Sequence, residues 1–238
     1  TASGTGTTVS GVVSRTITSI VSGAAALGVE SPSGTPLATI TGTTALSFIP
    51  GPPAQANIIA SKTTVISDGV DQTTLTITVR DVQGNLVTDG TTVTLTTTLG
   101  TVTGSGNTIN GVVTRYLSSI TTGTATLGVQ SPTGTTLSTV TGNTSILFSS
   151  GGPGRAVISA SKTALIADGV DNSTLTVTVY DANNNLVADG TTVTVTSTNG
   201  TVSGTSTTVS GVVSRTITSI ISGAAALGVE SPSGTTLA

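Results

Sequence analysis

The residues best suited to chemistry in this 238-residue chain are its aspartates, arginines and lysines, because it holds no His and no Cys. Four aspartates recur at one spacing: Asp68, Asp71, Asp81 and Asp89, then Asp168, Asp171, Asp181 and Asp189. Carboxylate oxygens gathered near a domain junction could hold calcium. Asp-Gly at 68–69 and 89–90 is also ordinary turn chemistry, and EF-hand spacing is absent, so turns are the preferred reading and no cofactor is expected. Arg15, Arg115 and Arg215 form a second periodic set. By alternation Val13, Arg15 and Ile17 share a strand face, which puts a guanidinium in an apolar series where it needs a carboxylate or carbonyl partner. The expected role is a structural ion pair with Glu30 or an Asp, or else a contact to a neighbouring domain. Gln130 stands where the other copies have Glu30 and Glu230, so a Glu partner cannot be general. Lys62 and Lys162 raise the idea of an isopeptide crosslink to Asn143, but Thr43 replaces that Asn in the preceding copy and the idea is set aside. Asn143, Asn172 and Asn199 each open an Asn-x-Ser/Thr sequon, which makes glycans candidate partners.

Composition narrows the function classes further. Without imidazole or thiolate, the common general bases, nucleophiles and zinc or haem ligands are missing, and no enzyme is expected. A net charge of −3 with only seven Lys and Arg argues against nucleic acid, whose phosphates demand clustered cations. No apolar run approaches the roughly 18 to 20 residues that span a bilayer. Only 7% of residues are charged, against roughly 25% in an ordinary domain, so hydroxyls must wet the surface: 55 Thr and 30 Ser supply them. Such a composition suits a long protein outside the cell, on a bacterial or archaeal surface.

The elements that position these residues repeat every 100 positions. GVVSR at 11–15 returns as GVVTR at 111–115 and GVVSR at 211–215, with no insertion between. Over the 38 positions all three copies share, the first and third match at 34 and the first and second at 20, which suggests an alternating two-domain unit duplicated recently. Pro/Gly clusters at 50–53 and 151–154 mark junctions. The expected organisation is 1–50 as the C-terminal half of a preceding repeat, 51–150 as a complete repeat, and 151–238 as a following repeat lacking its last strand. A window on a longer array explains this, and half-domains completed by neighbouring chains are the alternative.

Within the complete repeat, apolar residues alternate with Thr. Leu75, Ile77 and Val79 fall on one face and Thr74, Thr76 and Thr78 on the other, the period of a half-buried strand. Further strands are predicted near 56–60, 63–66, 91–98, 112–119, 123–130 and 140–148. About seven short strands per 100 residues, separated by Asp-Gly and Asn-Gly turns, indicate an all-β chain of tandem immunoglobulin-like sandwiches.

The stretches ISDGVDQTTLTITVRDVQGNLVTDGTTVTLTTTLGTVTG at 66–104 and IADGVDNSTLTVTVYDANNNLVADGTTVTVTSTNGTVSG at 166–204 resemble the group-one bacterial immunoglobulin-like domain of invasin- and intimin-type surface proteins. Leu86 and Leu186 depart from the Pro frequent in that loop, and Asn184 replaces Gly84. The resemblance implies a structural repeat segment of a long extracellular surface protein, forming a rigid fibre or filament with neighbouring repeats and identical chains as partners. The alternatives are the stalk of a single-chain adhesin that presents a distal binding domain, or a glycan- or receptor-binding module. Two Tyr and no Trp supply few aromatic anchors for the last.

Overall fold

A computed structural model of the chain describes residues 4–31, 34–104, 106–132, 134–204, 206–232 and 234–237. All regular structure in them is β-strand. Two short strands, β1 (Gly23–Ala26) and β2 (Ala45–Phe48), pair antiparallel ahead of the first junction. Nine strands follow: β3 (Gln55–Ala60), β4 (Thr64–Ile66), β5 (Thr73–Arg80), β6 (Thr94–Thr97), β7 (Thr101–Thr103), β8 (Val112–Ser118), β9 (Gly123–Gln130), β10 (Thr139–Gly142) and β11 (Ser145–Ser149). They form a five-stranded sheet in the order β10-β3-β5-β8-β7 and a four-stranded sheet in the order β4-β11-β9-β6. The fold is a β-sandwich, as the alternation predicts. The last seven strands are β12 (Arg155–Ala160), β13 (Ser173–Tyr180), β14 (Thr192–Ser197), β15 (Thr201–Val202), β16 (Ser206–Thr207), β17 (Val212–Thr218) and β18 (Leu227–Glu230). They repeat the plan as β12-β13-β17-β15 facing β16-β14-β18.

The core follows from the period of two. In β5 the buried residues are Thr73, Leu75, Ile77 and Val79, and the residues between them face outward. Ile58, Val65, Leu117, Val129, Ile146 and Phe148 close the same core from both sheets, each under 2% exposed. Phe148 is its one aromatic member. A Leu- or Phe-sized side chain buried in this way contributes about 1.5–3 kcal/mol, which offsets the backbone ordering of only one or two residues.

One predicted strand resolves into two. The alternation predicts a single strand over 140–148, but the chain breaks at 143–144 and passes from one sheet to the other as β10 and β11. Gly142 makes the crossing: its φ is +83°, and a Cβ there would lie 2.1 Å from the Ile58 carbonyl oxygen. β3 and β4 cross in the same way, so nine short strands correspond to seven chain passes.

Candidate functional site

The arrangement that most distinguishes this chain is the joint between one repeat and the next. It begins with an aspartate at the end of a strand. Asp81 follows β5 and its Oδ1 accepts from the amides of Gln83 (3.0 Å) and Asn85 (2.8 Å), closing a tight loop. Its Oδ2 accepts from the Asn85 side-chain amide and from the backbone amide of Gly51, both at 2.9 Å. Gly51 lies in the junction, so one carboxylate ties the loop to the chain that enters the repeat.

Asn85 then reaches across. Its Oδ1 accepts from Ser22 N–H at 3.0 Å and its Nδ2 donates to the Ile20 carbonyl at 2.9 Å. A primary amide presents one acceptor and two donors, so it satisfies a backbone C=O and an N–H two residues apart while still donating to Asp81. Ser19 pre-forms that backbone: its hydroxyl accepts from Val21 N–H and donates to the Val21 carbonyl.

The second joint repeats the first atom for atom. Asp181 Oδ1 accepts from the amides of Asn183 and Asn185, each at 2.9 Å, and its Oδ2 from Gly151 N–H and Asn185 Nδ2, each at 3.0 Å. Asn185 accepts from Thr122 N–H at 3.2 Å and donates to the Ile120 carbonyl at 2.9 Å, and Ser119 forms the same hydroxyl turn as Ser19. Ser67 adds to this joint, taking Asn185 Nδ2 on its hydroxyl and Asn183 Nδ2 on its carbonyl.

Both aspartates are shut away from solvent, at 1% and 2% exposure, and among the described residues neither forms an ion pair. The Asn85 side chain, helped by the amides of Gly51, Asn85 and Gln83, holds Asp81 below the usual carboxylate range against the opposing cost of burial. Burial pushes Asp181 up, and the donors from Asn185, Gly151 and Asn183 outweigh it, so its pKa is lowered as well. Four N–H groups fill the four lone-pair positions of each carboxylate, which leaves nothing for a metal ion.

The remaining aspartates serve turns and one ion pair per repeat. Asp68 Oδ1 accepts from the amides of Val70 and Asp71, and Asp168 does the same with Val170 and Asp171. Asp71 pairs with Lys62, and Asp171 with Lys162 at 2.6 Å. Asp89 and Asp189 accept from the amides of Asn110 and Ser210 in the opposite loops. Each set of four therefore falls at three separate places, with Asp68 and Asp71, and likewise Asp168 and Asp171, sharing one turn, and among the described residues no three acidic side chains converge. Lys62 is engaged by Asp71 while Asn143 accepts from Ala60 N–H, so the two do not meet.

The arginines act inside their own repeats. Arg115 is 6% exposed on the face it shares with Val113 and Leu117, as alternation predicts. It donates to the carbonyls of Thr114 (2.9 Å), Val93 (2.7 Å) and Gly106 (3.0 Å), and burial lowers its pKa. Among the described residues Arg215 keeps only the Ser214 carbonyl, and its Nε and Nη2 have no partner. Ser206, at the position of Gly106, is drawn into β16 instead. Arg15 is exposed and bonds the carbonyls of Ser14 and Thr5. The expected ion pair with Glu30 is not formed: Glu30, Gln130 and Glu230 each accept from the glycine amide four residues on. An amide oxygen does that work as well as a carboxylate, which explains Gln130. The sequence reading missed Asn85 and Asn185; the signal was the Asp-x-x-x-Asn spacing shared by DVQGN and DANNN.

Among known proteins, residues 52–145 and 152–236 each match the family described as invasin, domain 3. The crystal structure of invasin, described as a bacterial integrin-binding protein, is 24% identical with a TM-score of 0.61, covering 80% of this chain and 40% of that one. The structure of InvD from Yersinia pseudotuberculosis is 28% identical with a TM-score of 0.54, covering 77% and 54%. The chain thus spans about half or less of either protein's solved length. No curated protein matches it. Among the described residues no helix is long and apolar enough to cross a membrane.

Proposed function

We propose, from the premise that this chain belongs to the invasin domain 3 family, that it is a spacer segment of an adhesin-type bacterial surface protein, built for length and stiffness. Residues 1–50 are the C-terminal half of one repeat, 51–150 a whole repeat and 151–238 most of the next. The observation that carries this reading is the joint itself. The same six hydrogen bonds recur at Asp81/Asn85 and at Asp181/Asn185. A link with directional, at most partly buried contacts on both sides of a four-residue junction resists bending far more than a bare tether.

The repeats contribute reach and no catalysis, and their low surface charge favours side-by-side packing of identical chains into a filament. The second form is a single stalk that carries a distal binding part, which the description of invasin as integrin-binding favours. Small-angle X-ray scattering tests the stiffness common to both. The native chain should scatter as a rod. With Asn85→Ala and Asn185→Ala together it should scatter as jointed beads of the same radius, and an unchanged maximum dimension would overturn the reading.

A further inference from the structure

The first and last chain passes of residues 54–150 run parallel and side by side, which is unusual in a fold otherwise made of antiparallel neighbours. β10 pairs with β3 through Thr139↔Gln55, Val140↔Ala56, Thr141↔Asn57 and Gly142↔Ile58. β11 pairs with β4 through Leu147↔Thr64, Phe148↔Val65 and Ser149↔Ile66. The two passes switch sheets together, and Asn143 bridges the switch. Its backbone donates to the Ile58 carbonyl at 2.8 Å while its side chain accepts from Ala60 N–H at 2.9 Å. Leu147 N–H to Thr63, and Ser67 N–H and Oγ–H to Ser149, continue the seam, all at 2.8 Å.

Load has a defined way in and out. The chain enters at Gly51 and Ala54, held by the Asp81 carboxylate and the Arg80 carbonyl at one end of the sandwich. It leaves after Ser149 at the other end, where Ser67 meets the next repeat. Tension along the chain therefore drags two parallel strands in opposite directions along their own axes. In that geometry every rung of the seam is stressed at once, whereas a hairpin pulled at its open end yields one rung at a time. Sliding must also drag Ile58, Val65 and Phe148 through a close-packed core.

We propose that each complete repeat is a force-bearing shear clamp, with the β3–β10 and β4–β11 seams as its mechanical element and Asn143 as its central pin. This inference rests on the spacer reading only for the direction of load.

Single-molecule pulling on the whole chain by its ends tests it. Each complete repeat should unfold in one high-force step that releases roughly 300 Å of chain, the extended length of a repeat less its folded span. Gripping the same protein through the thiols introduced by Thr121→Cys and Ser150→Cys, each just beyond the same end of the antiparallel pair β9 and β11, should unfold that repeat at a several-fold lower force. Asn143→Ala should lower the end-to-end force and leave the force between the two introduced thiols little changed. Equal forces in the two directions, or an end-to-end force indifferent to Asn143→Ala, would overturn the clamp. Neither result bears on joint stiffness, which scattering reads separately.

Discussion

The side-chain amide of Asn185 donates to the carbonyl of Ile120 across 2.9 Å, joining residues 65 positions apart in consecutive repeats, and Asn85 makes the same bond to Ile20. Each Asn is itself oriented by an aspartate four residues earlier. The pairing makes the joint a built contact whose parts can be removed one at a time.

Asp181→Asn keeps the size and removes the charge. The new amide can accept from Asn183 and Asn185 but must turn its own N–H groups toward Gly151 N–H and Asn185 Nδ2. Leaving buried donors unpaired costs about 1–3 kcal/mol. Chemical denaturation should report that loss, and hydrogen exchange at Gly151 should rise with it. Unchanged exchange would show that the carboxylate does not hold the junction.

Acid should loosen the joints before it unfolds the cores. The folded pKa of Asp181 lies below its ordinary value of 3.8, so its stabilisation is complete above that value and is lost as pH falls through the folded pKa. Asp71, Asp81, Asp168 and Asp171 are lowered too and add to the same trend. The melting temperature should be flat from pH 7 to about 5 and drop below about pH 4. The drop should be shallower in Asp181→Asn, and parallel curves would argue against that carboxylate's part in it.

Two glycines of like backbone should respond in opposite ways. Gly142 (φ +83°) has the Ile58 carbonyl where a Cβ would go, so Gly142→Ala should cost several kcal/mol or prevent folding, as overpacking and left-handed strain combine. Gly84 (φ +88°) faces open space, and Asn184 occupies the matching position at φ +64°. Gly84→Asn should change stability by about 0.5 kcal/mol or less. Thermal melts of the two variants decide the matter.

The arginines should separate by burial. Arg115→Ala exposes a cavity and strips the carbonyls of Val93 and Gly106 of their donor, a loss of about 2–3 kcal/mol. Arg15→Ala, at an exposed site, should be close to neutral on the same assay. Equal effects would mean that the buried hydrogen bonds of Arg115 contribute little.

The features legible in the sequence were local or periodic. The 100-residue repeat, the strands β5, β8 and β9, and the turns at Asp68–Gly69 and Asn110–Gly111 could be read there because alternation records which face of a strand is buried, and turn residues record backbone shape at their own positions. The inward side of Arg115 was legible for the same reason. Partnership came only with tertiary structure. Every backbone carbonyl looks alike in sequence, so nothing marked Val93 and Gly106 as the acceptors of Arg115, nor Ile20 and Ile120 as those of Asn85 and Asn185. The parallel seating of β3 on β10 and β4 on β11 arises only when the sandwich closes and brings segments more than 80 residues apart into register. Thr64–Ile66 is a strand because Leu147–Ser149 lies alongside it.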